Sequence, residues 1–124
     1  MPDKPIDFLQ EIADFTFTSK YARYNEKEKR RETWNETVSR LEKMHLKRFN
    51  YLSQEDQGEL KWAFDRVREK LVVPSMRSLQ FGGKAVEAHN ARIFNCATRH
   101  VDSPRAFAEI FYLLICGCVV GIGL

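Results

Sequence analysis

Cysteine is scarce in this sequence, and its acids and bases nearly cancel. The three cysteines, Cys96, Cys116 and Cys118, are an odd number without framework spacing, which excludes a disulfide-stapled scaffold. The 20 basic side chains against 17 acidic ones leave a net charge of +3. That excess is too small for a nucleic-acid footprint, and no nucleic-acid partner is expected. No period repeats along the chain, so a solenoid or propeller is excluded. The stretch MPDKPIDFLQ has no basic region followed by an apolar run, so no secretory leader is expected and reduced thiols in the cytoplasm are the default. What is present is ordinary: 44% hydrophobic and 30% charged residues in a chain of 124, enough for one small domain. The charge is unevenly spread. Residues 1–70 hold most of it, whereas 106–124 carry only Glu109.

Four helices follow from spacing and caps. The first is expected over Ile6 to Asp14, with Phe8, Leu9 and Ile12 on one side. A polar stretch from Thr18 to Arg31 follows, reading as a solvated face because both signs are interspersed. Thr33-Trp34-Asn35-Glu36 matches a capping box and opens the second helix, along which Trp34, Val38 and Leu41 recur at helical spacing. Ser53 caps the third, whose apolar stripe is Leu60, Ala63, Phe64, Val67 and Leu71, with Pro74 expected to end it. From Pro74 to Asn95 the pattern weakens around a Gly82-Gly83 turn, and Ala91 to Cys96 reads as a short strand. Ser103 and Pro104 open the fourth helix, Gly117 lies near its end, and Val119 to Leu124 reads as a buried strand. A chain finishing on that strand has unpaired backbone groups, so a fragment of a longer protein is expected.

The apolar tail from Ala106 to Leu124 has a rival reading, since it is close to the length that spans a bilayer. Against a tail anchor stands Glu109, whose insertion into hydrocarbon costs about 2.5–3.5 kcal/mol. Gly117, Gly121 and Gly123 interrupt the second half, and no basic cluster follows. A buried helix followed by a buried strand is the better account, and no membrane partner is expected.

Cys116-x-Cys118 has the form of half a metal site, but His45, His89 and His100 supply no matching zinc spacing. No metal ligands are therefore assigned, and both thiols read as buried structural cysteines. Cys96 differs in being flanked by Asn95 and the polar run Thr98-Arg99-His100. Arg92, Arg99 and His100 favour its thiolate if they point the same way. The run from Gly117 to Gly123 lacks a Walker Lys-Ser/Thr and follows a helix, so it is a poor phosphate loop.

Three stretches, in this order, resemble the adenosylcobalamin-dependent ribonucleoside-triphosphate reductases. The first is Lys20-Tyr21-Ala22-Arg23-Tyr24 running on to Thr33-Trp34-Asn35-Glu36-Thr37-Val38. The second is Val73-Pro74-Ser75-Met76-Arg77-Ser78-Leu79. The third joins Phe94-Asn95-Cys96, Asp102-Ser103-Pro104-Arg105-Ala106-Phe107 and the closing Cys-Gly-x-x-Val-Gly-Ile-Gly. The resemblance covers residues 18–124 but only the front of a longer family sequence, which often has glycine at the Val119 position and threonine at that of Val73.

The resemblance implies an α/β fold: an N-terminal helical layer over residues 1–72, then, in residues 73–124, the first strand-helix-strand of a ten-stranded α/β barrel, truncated. It implies that Cys96 is one of two cysteines oxidised to a disulfide while the substrate's 2′-hydroxyl is reduced, and that Ser75, Asn95, Cys96 and Gly121 approach the ribonucleotide. Two thiols becoming a disulfide supply the two electrons that replacing C–OH by C–H consumes. The partners implied are the ribonucleotide substrate, the remainder of the reductase chain and a thioredoxin-type dithiol. Adenosylcobalamin is expected to bind the complete enzyme and not this piece, because the family's radical cysteine has no match here. The first-strand block is shared with metal-dependent reductases. The Tyr-Ala-Arg segment favours the cobalamin kind.

Overall fold

The computed structural model describes residues 8–123 and divides the chain into two compact units, Met1–Gln80 and Phe81–Leu124. Among the described residues the chain is a helix-rich α/β protein with two small sheets. Residues 73–80, grouped from sequence with the second half, cluster with the first.

The first unit is built on α2 (Trp34–Arg48) and α3 (Gln54–Arg68), which pack on each other. Thr33 starts α2 as expected. Its hydroxyl accepts from Glu36 N at 3.3 Å, and the Glu36 carboxylate accepts from Thr33 N at 2.7 Å, so two orphan donors of the first turn are satisfied reciprocally. Ser53 caps α3 by accepting from Asp56 N at 3.1 Å. The other end departs from expectation. Helix α3 stops at Arg68 rather than running to Pro74, because Lys70 turns left-handed at φ 60°. Leu71 N then reaches back to Arg66 O at 3.1 Å, closing the helix with its carbonyls satisfied. Leu71 has thereby left the helical face and is 66% exposed, although its spacing had placed it in the stripe. Val38, Leu41 and Val67 are buried as expected, while Trp34, Leu60 and Phe64 are half-buried.

Helix α1 runs over Phe8–Lys20, extending past Asp14. Ile6, where it was expected to begin, lies outside the described residues. Thr16, Thr18 and Ser19 are weak helix formers, but Phe17 packs edge-on against Trp34 with centroids 5.2 Å apart, and that contact carries the extra turn. The polar stretch after it holds a small hairpin, β1 (Tyr24–Asn25) against β2 (Arg30–Arg31). Its turn is organised by Asn25 Oδ1, which accepts from Lys27 N at 3.0 Å. Helix α4 (Met76–Phe81) completes the unit with Leu79 fully buried.

In the second unit, α5 (Lys84–Ala88) and a 3₁₀ turn at Asn90–Ile93 precede β3 (Cys96–His100). The expected strand at Ala91 to Cys96 is thus displaced toward the C-terminus. The apolar residues Ile93 and Phe94 close a turn, with Phe94 N donating to Ala91 O at 3.2 Å. Pairing, not propensity, makes Thr98-Arg99-His100 a strand. Helix α6 (Pro104–Ile115) follows, capped at Ser103, though the Ser103 hydroxyl donates to Asp102 Oδ1 instead of accepting from the helix. Gly117, at φ 86°, ends it where Cys118 N reaches Leu113 O at 3.0 Å. Strand β4 (Val119–Gly123) then lies parallel to β3 in the register Cys96↔Val119, Thr98↔Gly121 and His100↔Gly123. The result is a parallel strand-helix-strand unit. Among the described residues no helix is long and apolar enough to cross a membrane.

Candidate active-site strand face

Strand residues alternate between faces, and β3 separates its side chains cleanly. Ala97 and Arg99 are the more covered positions, while Cys96, Thr98 and His100 are exposed. Arg99 reaches α6, where its Nε donates to Glu109 at 2.6 Å, and it also bonds Asp102 at 3.0 Å. These acids raise its pKa, Asp102 first and Glu109 next. The face opposite Arg99 is therefore open and carries Cys96, Thr98 and His100.

Strand β4 lays small residues beside that open face. A Cβ added at Gly121 would meet Thr98 Cγ2 at 2.9 Å, and one at Gly123 would meet the His100 ring at 3.2 Å. Each glycine thus makes room for a β3 side chain to lie across the sheet, which gives Gly121 a packing reason beside any ligand-approach reason. Thr98 and Gly123 were given no role from the sequence, whereas His100, named there as a neighbour favouring the thiolate, does share the face of Cys96. Their signal was the two-residue alternation of CATRH, legible only once the strand began at Cys96.

Among the residues expected to contact substrate, Asn95, Cys96 and Gly121 fall together in the second unit. Asn95 O accepts from Val119 N at 2.8 Å, which sets the register at the thiol-bearing end of the sheet. Ser75 belongs to the first unit. It is exposed, and its carbonyl accepts from Leu79 N at 3.1 Å in the opening turn of α4.

The three thiols have different surroundings. Cys96 is exposed, Cys116 half-buried and Cys118 buried. Cys118 Sγ donates to Phe94 O at 3.2 Å and so fastens β4 to the turn before β3. The neighbouring Cys116 thiol raises the Tyr112 pKa. Arg99, one of the cations expected to favour a Cys96 thiolate, does not serve it, because it points to the α6 side and is already neutralised. Among the described residues no group of three or more His, Cys, Asp or Glu is placed to hold a metal ion. A cavity of about 310 Å³ in the first unit is too small for a corrinoid.

No family model, curated protein or solved structure matches this chain.

Proposed function

We propose that this chain is the N-terminal part of a ribonucleotide reductase of the adenosylcobalamin-dependent kind, with Cys96 as one of its two redox thiols. The observation that carries the reading is the face on which Cys96 stands. It opens β3 on the side turned away from α6 and Arg99, exposed, with glycines at two of the three positions beside that face. In an α/β barrel the helices cover the outside, so the side opposite α6 faces the interior, where substrate lies. The parallel pairing of β3 and β4 across α6 is the unit from which such a barrel is built.

The chemistry asked of Cys96 is a two-electron reduction. The ribose C2′–O bond breaks, a C2′–H bond forms, water leaves, and two thiols close to a disulfide. A thioredoxin-type dithiol then reopens that disulfide. Adenosylcobalamin, held elsewhere in the complete enzyme, supplies the initiating radical. Asn95 fixes the strand register beside the thiol, and Gly121 keeps the neighbouring strand low. The partner cysteine and the radical cysteine belong to other parts of the enzyme, as does any activity.

In the complete reductase, Cys96→Ser abolishes multiple-turnover reduction with an external dithiol, whereas Cys118→Ser retains it. Near wild-type turnover in Cys96→Ser overturns the assignment.

A further inference from the structure

The first unit contains a cavity that the reductase reading does not use. It lies between α1, the start of α2 and α4, with a volume of about 310 Å³ and a largely apolar lining. That volume is at the small end of ligand pockets, suited to a molecule of one or two rings. Its walls include Phe17, Tyr21, Trp34 and Leu79. Two of these rings are fixed in place: Trp34 Nε1 donates to Val67 O at 3.1 Å, and Phe17 meets the indole edge-on at 77°. A planar guest would therefore find aromatic surface already oriented, at little ordering cost.

Two charges also line the cavity, Asp14 and Lys70, and they neutralise each other. Lys70 Nζ lies 3.0 Å from Asp14 Oδ1 and 5.9 Å from the centre of the Trp34 ring. Hydrogen bonds from Gln10 and then Lys70 hold the Asp14 carboxyl below its ordinary range, so it is anionic at neutral pH. Lys70 is also one of two non-glycine residues among those described with positive φ. Glycine or asparagine usually takes this helix-end position. A left-handed lysine sets the ammonium beside the indole.

We propose that this cavity binds a small, uncharged, planar heteroaromatic molecule with a hydrogen-bond donor and an acceptor on one edge. The guest stacks on one of the Trp34 and Phe17 rings and meets the other edge-on, the donor faces Asp14, and the acceptor faces Lys70. A guest with net charge has to give up its hydration to enter the largely apolar lining, so charged analogues of the same size are rejected.

The test uses the full chain carrying Trp62→Phe, which leaves Trp34 as its one tryptophan. Adenine is the probe, and Trp34 emission is the signal. A saturable change with a dissociation constant at or below about 1 mM is expected, with benzoate and benzylammonium at least about tenfold weaker. Ala13→Leu and Thr16→Leu each fill the cavity from α1, and each removes the adenine response while the unfolding midpoint holds. If one of them fails to fold, the other decides. The proposal is overturned by any of three results: no saturable response to adenine, an equal response to a charged analogue, or binding that survives in a folded, filled variant. None of these bears on Cys96, so this inference and the reductase reading fail separately.

Discussion

Arg23 and Arg40 bring their guanidiniums to the same end of α4. Arg23 Nε donates to Gln80 O at 3.0 Å and Arg40 Nη2 to Leu79 O at 2.8 Å. A helix of six residues cannot stand alone, and cations at its carbonyl end satisfy groups that no further turn would reach. Burial lowers the Arg23 pKa, and the neighbouring Arg40 lowers it further, so the pair needs a counter-charge. Glu32 provides it. Burial pushes its carboxyl up, but hydrogen bonds from Arg40 and Thr37 outweigh this and leave it below the ordinary range. Arg23, part of the Tyr-Ala-Arg segment, is thus a clamp on α4. Arg40→Ala strands a half-buried carboxylate, and urea denaturation is expected to show a loss of about 3 kcal/mol. A loss under 1 kcal/mol would mean that water replaces the guanidinium. The thiols give a second residue-scale prediction. A bulky disulfide reagent titrates Cys96 rapidly in the folded chain, whereas Cys118, only 4% exposed, reacts only on unfolding. Equal rates would contradict the packing of Cys118 against Phe94.

At the scale of elements, helix boundaries carry the stability that can be tested. Thr33→Ala removes one half of the capping box and is expected to cost about 1 kcal/mol. The other half has a pH signature. Arg30 first, and then the Thr33 backbone, push the Glu36 carboxyl down from 4.5 to about 2. A depressed carboxylate stabilises the fold above its unfolded pKa and loses that contribution as pH falls through the folded value. The unfolding midpoint of the wild type should therefore decline between pH 4.5 and about 2, and the decline should be shallower in Glu36→Gln. Because Glu36 and Arg30 are partly exposed, added salt should shrink the difference. Identical pH profiles for the two proteins would remove Glu36 from the account. The two helix ends show what composition conceals. Gly117 announces the end of α6 by its residue type, whereas Lys70 ends α3 in the same left-handed conformation without any such sign.

For the whole molecule, the decisive quantity is apolar surface left uncovered. Helix α6 buries Ala106 and Ile110, yet Phe107, Phe111, Leu114 and Ile115 remain exposed. A patch of that kind drives association. Sedimentation of the chain is expected to show concentration-dependent association, which Phe111→Glu combined with Ile115→Lys reduces while secondary structure is kept. A monodisperse monomer at high concentration would overturn this.

Much of the architecture was determined by the sequence alone. Local hydrogen bonds of Thr33 and Ser53 fix the starts of α2 and α3, and helical spacing marks Val38, Leu41 and Val67 as core. Ser103, Pro104 and Gly117 bracket α6, and a β-branched run marks β4. These signals lie within a few residues of what they govern, so they survive being read without partners. The tertiary structure decided the rest. It moved the first long strand from Ala91–Cys96 to Cys96–His100, because parallel pairing with β4 across α6 rewards register and not local propensity. The same pairing put Thr98 and His100 on the face of Cys96 and sent Arg99 to Glu109. A strand's faces reverse with a one-residue shift, so no inspection of CATRH could say which side chains share the thiol's surroundings until its partner strand had fixed the register.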